Sequence, residues 1–382
     1  MNSLSNKITI CHILNLITGR ADGVYTHLKM LLNLLPKDKY RQIVIFQGGQ
    51  TVHDKLTKMG IKTFIVPSLS NKNKNIFRSI YEVRRILINE NVDIIHTHFI
   101  KSYIIFGLIN LFLKKKHIFN YHGIFIDNIY YLQYEKIILN LVHFFICKTK
   151  CVDIAVVPSY FSKSILQKET SLFPRIEVYF NGYSASDSIF VDQNITSELE
   201  KLKKDYFTVG IIARMNIEKR IDLSLKTLAL LRYSSQKVFF VFMGDGLLEK
   251  EMIMLSKYLR VFDNCRFFGY VNDASYYIKY FDCILFSSDS EGLPLTIWEA
   301  MANSVPVIAS NVGGNKEIIE NERCGFIFER GDIKRASEFI NYLILNPEVK
   351  HELGENGKIA LLKKYSNENF ISFFDELYSN LY

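Results

Sequence analysis

The chain has 382 residues, 48% of them hydrophobic and 23% charged, which fits a soluble globular protein too long for one ordinary core and so built of two domains. The net charge of +8 is unevenly divided: residues 1–190 hold 24 Lys and Arg against 12 Asp and Glu, and the remainder 23 against 27. Six scattered cysteines, of which Cys147 and Cys151 form the one close pair, exclude a disulfide framework and read as reduced thiols of a cytoplasmic protein.

In chain order, the opening stretch "KITICHILNLITG" is interrupted by His12 and Asn15 and lacks a small-residue cleavage site, so it reads as a buried first strand and not a signal peptide. Further strands are expected at 41–46, 62–67, 92–98, 117–123, 152–159 and 176–182, each followed by helical periodicity. The pattern restarts at 208–214 and continues through 237–244, 265–271, 282–288, 305–310 and 325–328. Such alternation predicts two doubly wound α/β domains facing across a cleft. Their expected extents are 1–185 and 207–365, joined by a polar linker over 186–206. The apolar runs 102–113 and 137–146 fall short of the ~20 residues a membrane span needs.

Ligands of such sheets bind beyond the carboxyl ends of the strands. After the strand 208–214 stand Arg214 and, five residues on, Lys219, a cationic fork able to hold a diphosphate at a helix start. Lys219 alone would read as a surface charge. Gly244-Asp245-Gly246 marks a tight turn and by itself says little about nucleotides. After the strand 282–288 come Glu291, Gly292, Pro294 and Glu299, with seven residues between the two glutamates. Thr296 and Glu299 fit a helix capping box, and Glu291 could merely offset a helix dipole. The other reading is that each carboxylate accepts two hydroxyl hydrogen bonds from a sugar diol. His96-x-His98 shares one strand face with no third ligand nearby in sequence, so no metal site is expected.

Taken in order, Arg214-x4-Lys219, "FMGDGLLEKEM", "FFGYVND", Glu291-x7-Glu299, "PVIASNVGG" and "FNGYSASDSIF" resemble the family 4 retaining glycosyltransferases, which have the GT-B fold. The resemblance implies a nucleotide-sugar donor held by the second domain. Arg214 and Lys219 would neutralise its diphosphate, and Glu291, with the backbone of Gly292, Leu293 and Leu295, would bind donor-sugar hydroxyls. Glu299 would bind the ribose diol, and Gly244 would line the nucleotide site. His122, in "NYHG", matches a family histidine facing the donor sugar, and Gly19 or Gly23 in "TGRADGVYTH" would approach the phosphate. Two departures stand out: adjacent glycines are missing from that first loop, and Pro294 replaces a frequent glycine. The last residues, 366–382, would cross back as a helix onto the first domain.

The expected activity is transfer of a sugar from a UDP- or GDP-linked donor to a glycan acceptor, lipid-linked, with retention. No Asp-x-Asp motif occurs, so no metal or other cofactor is expected. A bias to Ile, Asn, Lys, Phe and Tyr suits an AT-rich bacterial gene and hence capsule, O-antigen or exopolysaccharide synthesis. The basic, aromatic first domain suits an anionic membrane surface at the cytoplasmic face; without a recognition motif, nucleic acid is not an expected partner. The alternatives are a nucleotide-sugar 2-epimerase of the same fold and a non-catalytic partner subunit of a glycosyltransferase. Alanine at Lys219 or Glu291 is expected to abolish transfer and leave the fold intact, both residues being read as lining a surface crevice.

Overall fold

The computed structural model describes residues 7–14, 23–66, 76–122, 133–169, 173, 175–183, 191–232 and 237–382. They divide into two units, one of Met1–Asn181 with Asn367–Tyr382 and one of Gly182–Ser366. The first unit has strands β1 (Ile8–Leu14), β2 (Tyr40–Phe46), β3 (Lys62–Ile65), β4 (Ile94–Thr97), β5 (Lys116–Asn120), β6 (Ile154–Val157) and β7 (Ile176–Val178). They form one parallel sheet in the order β3-β2-β1-β4-β5-β6-β7. The second unit repeats the plan with β8 (Phe207–Ile212), β9 (Val238–Met243), β10 (Cys265–Phe267), β11 (Cys283–Phe286), β12 (Val307–Ser310) and β13 (Gly325–Phe328). Its parallel order is β10-β9-β8-β11-β12-β13.

Helices cover both faces of a parallel sheet, so its central strands bury every side chain and read as unbroken apolar runs. All seven residues of β1 and all six of β9 are buried. The helix Ile221–Leu231 shows the matching pattern, with Ile221, Leu225, Leu228 and Leu231 packed into the core of the second sheet. Each stretch read as a strand is one, but several end earlier than their apolar content suggests. The strand in the run 265–271 ends at Phe267, although the Phe268 amide still donates to the Phe242 carbonyl at 3.0 Å, and Gly269 then turns the chain with φ 65°. The polar stretch read as a linker is helical from Gln193 to Asp205 and belongs to the second unit, with Thr196 and Leu199 buried. Asp192 caps it by accepting from the Asn194 amide.

The last helix, Asn367–Leu381, packs on the first unit. Its buried Phe370, Phe374, Leu377 and Tyr378 join Ile8, Ile10, Met30 and Leu31 in one cluster. Asp375 fixes its rotation by pairing with Lys39 Nζ at 2.7 Å and accepting from Tyr40 Oη at 2.6 Å. The six cysteines are buried and free. No helix among the described residues is long and apolar enough to cross a membrane.

Candidate functional site

In the second unit the chain runs outward from β8 through β9 to β10 and then returns to the other side of β8 with β11. The loops after β8 and β11 therefore lie side by side at the switch point of the sheet, although some seventy residues separate them in sequence. They are knitted together. The Asp289 amide donates to the Glu218 carbonyl at 2.8 Å, and Ser287 Oγ donates to the Arg220 carbonyl at 2.8 Å.

This juxtaposition brings Lys219 and Glu291 into contact, Nζ to Oε1 at 2.6 Å, and Ser288 Oγ donates to the same oxygen at 2.6 Å. Oε1 is thus occupied, and Oε2 is the oxygen left to accept from a ligand hydroxyl. The side chains of Lys219 and Glu291 are only 19% and 7% exposed. That corrects the expectation that alanine at either position would leave the fold untouched: removing one partner strands the other charge in a poorly solvated place. Arg214 stands apart from the pair. It is exposed, and among the described residues its guanidinium has no carboxylate partner.

Two glycines shape these loops. Gly244, at φ 142°, lies so close to the Ala213 carbonyl that a Cβ would collide with it, and the Met215 amide donates to the Asp245 carbonyl at 2.9 Å, so this turn braces the backbone on either side of Arg214. Gly313, at φ 58°, packs in the same way against the Glu291 carbonyl, while the Gly314 amide donates to the Gly292 carbonyl at 2.8 Å. The "GG" of "NVGG" is therefore the wall behind the Glu291 loop.

The helix after that loop runs from Leu295 to Ala302 with Pro294, not Thr296, at its N-cap. The capping-box reading of Thr296 and Glu299 fails accordingly. Desolvation by burial pushes the Glu299 carboxyl up to about 7, against the smaller, lowering effect of the Thr296 hydroxyl. Leu293 is buried, and Gly292 and Leu295 are half-buried beside it.

Sequence reasoning missed Arg220. This residue adopts φ 49° at the N-cap of the helix Ile221–Leu231 and pairs with both oxygens of Asp222, at 2.9 and 3.1 Å, and with Asp289 at 2.9 Å. Asp289 also receives Arg330 Nε at 2.9 Å. Arg220 is thereby engaged by two carboxylates within the protein. The signal was present in "EKRID", where a basic pair precedes an aspartate, but nothing in the sequence assigned Asp289 to Arg220 and not to Lys219.

In the first unit, His122 is half-buried just beyond β5. Burial pushes its pKa well below the usual imidazole range, with the neighbouring His27 adding to the effect. Gly23 is exposed at the start of the helix Gly23–Leu34, and Gly19 lies outside the described residues, as do residues 184–190 of "FNGYSASDSIF". Around His122 lies a group of histidines that the sequence scattered. His12, His96 and His98 bring ligand-capable atoms within 4.8 Å of one another, as do His27, His98 and His122. The third partner missing beside His96-x-His98 is thus supplied by β1, the strand hydrogen-bonded to β4. His27 is held by Asn181 Oδ1 at 3.0 Å and by Asn120 Nδ2 at 2.8 Å.

The comparison with known sequences now decides the family. The Glycosyltransferase Family 4 profile matches residues 21–186, and that of Glycosyl transferases group 1 matches residues 192–360. The chain belongs to the family 4 glycosyltransferases. This glycosyltransferase is 24% identical over 398 aligned residues to the UDP-Gal:alpha-D-GlcNAc-diphosphoundecaprenol alpha-1,3-galactosyltransferase of Escherichia coli, covering 100% of the chain and 99% of the relative. It is 28% identical over 189 residues to the EpsD protein of Bacillus subtilis, an alignment spanning 50% of this chain and 49% of EpsD. Among solved structures, Anabaena Alr3699/HepE in complex with UDP matches with a TM-score of 0.79 at 18% identity, covering 98% of this chain and 100% of that one. At that identity the likeness concerns the GT-B fold.

Proposed function

We propose that this glycosyltransferase moves a sugar, with retention of anomeric configuration and without a metal ion, from a UDP- or GDP-linked donor to a lipid-linked glycan during bacterial surface polysaccharide synthesis. The observation that carries the reading is the contact of Lys219 with Glu291 where the loops after β8 and β11 meet, with Arg214, which has no carboxylate partner among the described residues, on the same loop after β8. A diphosphate presents more negative charge than a single carboxylate, and an ammonium has three donors, so Lys219 can hold Glu291 and a phosphate oxygen together. Arg214 adds a second positive charge, so that the leaving group is neutralised by side chains. Glu291 Oε2 accepts from a donor-sugar hydroxyl, and Glu299 reads the ribose diol. The anomeric C1–O bond to phosphate breaks, the acceptor oxygen bonds to C1 on the same face, and the acceptor proton passes to the departing phosphate. The lipid-linked acceptor and the UDP donor are supported by the name of the Escherichia coli relative.

Glu299 gives this reading a pH signature. A carboxyl at about 7 is largely protonated below that pH, and a ribose diol donating two hydrogen bonds favours the ionised form. Nucleotide binding then releases a proton, and affinity falls as the pH drops through 7 and levels off above it. Calorimetric titration with UDP and with GDP, in buffers of different ionisation enthalpy, is expected to show that release and binding about tenfold weaker at pH 6 than at pH 8. Affinity independent of pH would remove Glu299 from the ribose. The reaction itself is tested by offering UDP- and GDP-sugars with an undecaprenyl-diphosphate-linked sugar and reading the product anomer by NMR. An inverted product, a rate abolished by EDTA, or a free isomerised nucleotide sugar would each refute the proposal.

The acceptor also suggests where the protein meets lipid. The helix Gln133–Lys148 exposes Leu141, Phe144 and Phe145 at 65%, 51% and 49%, and Lys148 Nζ lies 5.7 Å from the centre of the Phe144 ring. Leu141, Phe144, Phe145 and Lys148 follow helical spacing and form one stripe. The helix Ile100–Leu113, packed against it, exposes Phe112 at 81% just before Lys114, Lys115 and Lys116. An apolar stripe edged with lysines suits an anionic bilayer surface. Replacing Phe144 and Phe145 with serine is expected to weaken flotation with phosphatidylglycerol vesicles by about tenfold or more. Unchanged flotation would show that this stripe faces something other than lipid.

A further inference from the structure

Three histidines of the first unit, His12, His98 and His122, form with Gln42 an ordered chain whose polarity can be read from end to end. Gln42 Nε2 donates to the Leu31 carbonyl at 3.2 Å. A carbonyl only accepts, so the amide nitrogen must face Leu31 and the amide oxygen must face the other way, towards His12 Nε2 at 3.1 Å. His12 therefore carries its proton on Nε2. Desolvation pushes the His12 pKa down to about 4, and those of His98 and His122 well below the ordinary value, so each ring is neutral near pH 7 and has one N–H.

With Nε2 protonated, His12 Nδ1 is a bare acceptor. It lies 3.1 Å from His98 Nε2, which must then be the donor. His98 Nδ1 is bare in turn and lies 3.2 Å from His122 Nε2, which must donate to it. The His98 and His122 rings are 16° apart with centroids at 5.5 Å, a separation that fits a 3.2 Å bond running between them from ring edge to ring edge. Neutral His122 then has its other nitrogen, Nδ1, unprotonated.

We propose that Gln42, His12 and His98 are positioning residues that fix His122 as the Nε2–H tautomer, so that the face it offers a substrate hydroxyl is the hydrogen-bond acceptor Nδ1. The proposal rests on the reading of His122 as a donor-sugar contact. Its logic is that of an oriented general-base histidine, in which one nitrogen's partner sets the chemistry of the other. The orienting partner here is an amide oxygen three rings away. Without that oxygen the opposite polarity becomes available: each proton shifts to the other nitrogen of its ring, and His122 presents Nδ1–H, a donor that repels a hydroxyl proton. Removing the acceptor makes that reversal favourable, because a buried N–H on His12 would lose its partner, whereas a bare ring nitrogen there tolerates an apolar neighbour better.

The test uses the full chain labelled with nitrogen-15 in histidine. Long-range proton–nitrogen correlation spectra of the wild type, with no substrate present, report which ring nitrogen carries the proton. The expected result is Nε2–H at His12, His98 and His122. Nδ1–H at His122 would overturn the proposal, whether or not the transfer reading holds. So would stoichiometric zinc in the purified protein bound through His12, His98 and His96, since a metal on those nitrogens leaves no hydrogen-bonded chain; His96 Nε2 has no hydrogen-bond partner among the described residues and would be the third ligand. In Gln42→Met, the spectrum is expected to show His122 shifted towards Nδ1–H. There kcat for transfer should fall by about tenfold while KM stays within about twofold, because only the fraction in the right tautomer turns over. A fall in kcat with the His122 tautomer unmoved would show that Gln42 acts through packing alone and would end its positioning role. Should Gln42→Met not fold, the wild-type spectrum still decides.

Discussion

Replacing Lys219 with methionine is expected to lower kcat/KM for sugar transfer by about a thousandfold, the scale of losing one fixed charge at a developing anion. The ammonium is 2.6 Å from Glu291, the carboxylate proposed to bind the donor sugar. The same replacement leaves that carboxylate with Ser288 as its remaining recorded hydrogen-bond donor. Because the Glu291 side chain is 7% exposed, stability should drop by about 3 kcal/mol. In a domain of this size that is a fall of roughly 6 to 12 °C in Tm. Kinetics with the UDP- or GDP-sugar donor and a thermal melt check the two effects separately. Wild-type turnover in this variant would sink the assignment of Lys219 to the leaving group.

The Glu291→Gln variant keeps the shape of the side chain and removes its charge. It is expected to lose about a hundredfold in kcat or more, because a primary amide offers one acceptor oxygen where the site uses two. Lys219 then stands 19% exposed without its counter-ion, so this variant too should melt early. Combining it with Lys219→Met separates structure from chemistry. Replacing both members of a buried pair by neutral residues of similar volume is close to neutral for folding, so the double variant is expected to regain most of the lost Tm and none of the activity. If activity returned with stability, the pair would be structural and the ligand would bind elsewhere.

The sequence made the fold legible because parallel sheets advertise themselves. Each strand is buried on both faces, so each stands out as an apolar run, and Cys283–Phe286 or Val238–Met243 needs no knowledge of its neighbours to be recognised. Strand ends were less legible, as Phe267 shows, because apolar content continues past the end of the strand. The site was legible in its parts. Arg214, Lys219, Glu291 and Glu299 stand out by residue type and by their place after strands, and the family resemblance set them in order. How they are paired was not legible. Lys219 and Arg220 are adjacent, and Glu291 and Asp289 are two residues apart, so both ways of pairing them were equally compatible with the sequence. The tertiary structure chose Lys219 with Glu291 and Arg220 with Asp289.

What the sequence by itself determined was the repeated strand-and-helix plan, the family and the identity of the charged residues at the strand ends. These follow from local pattern and residue chemistry, which a linear chain carries in full. What only the tertiary structure decided was which distant residues meet. The adjacency of β8 and β11 closes the ion pair, and Pro294 takes the helix cap in place of Thr296. In the first unit, residues drawn from positions 12, 42, 98 and 122 form one hydrogen-bonded line. Such contacts depend on strand order and side-chain direction across a folded sheet, and those are properties of the packed chain as a whole.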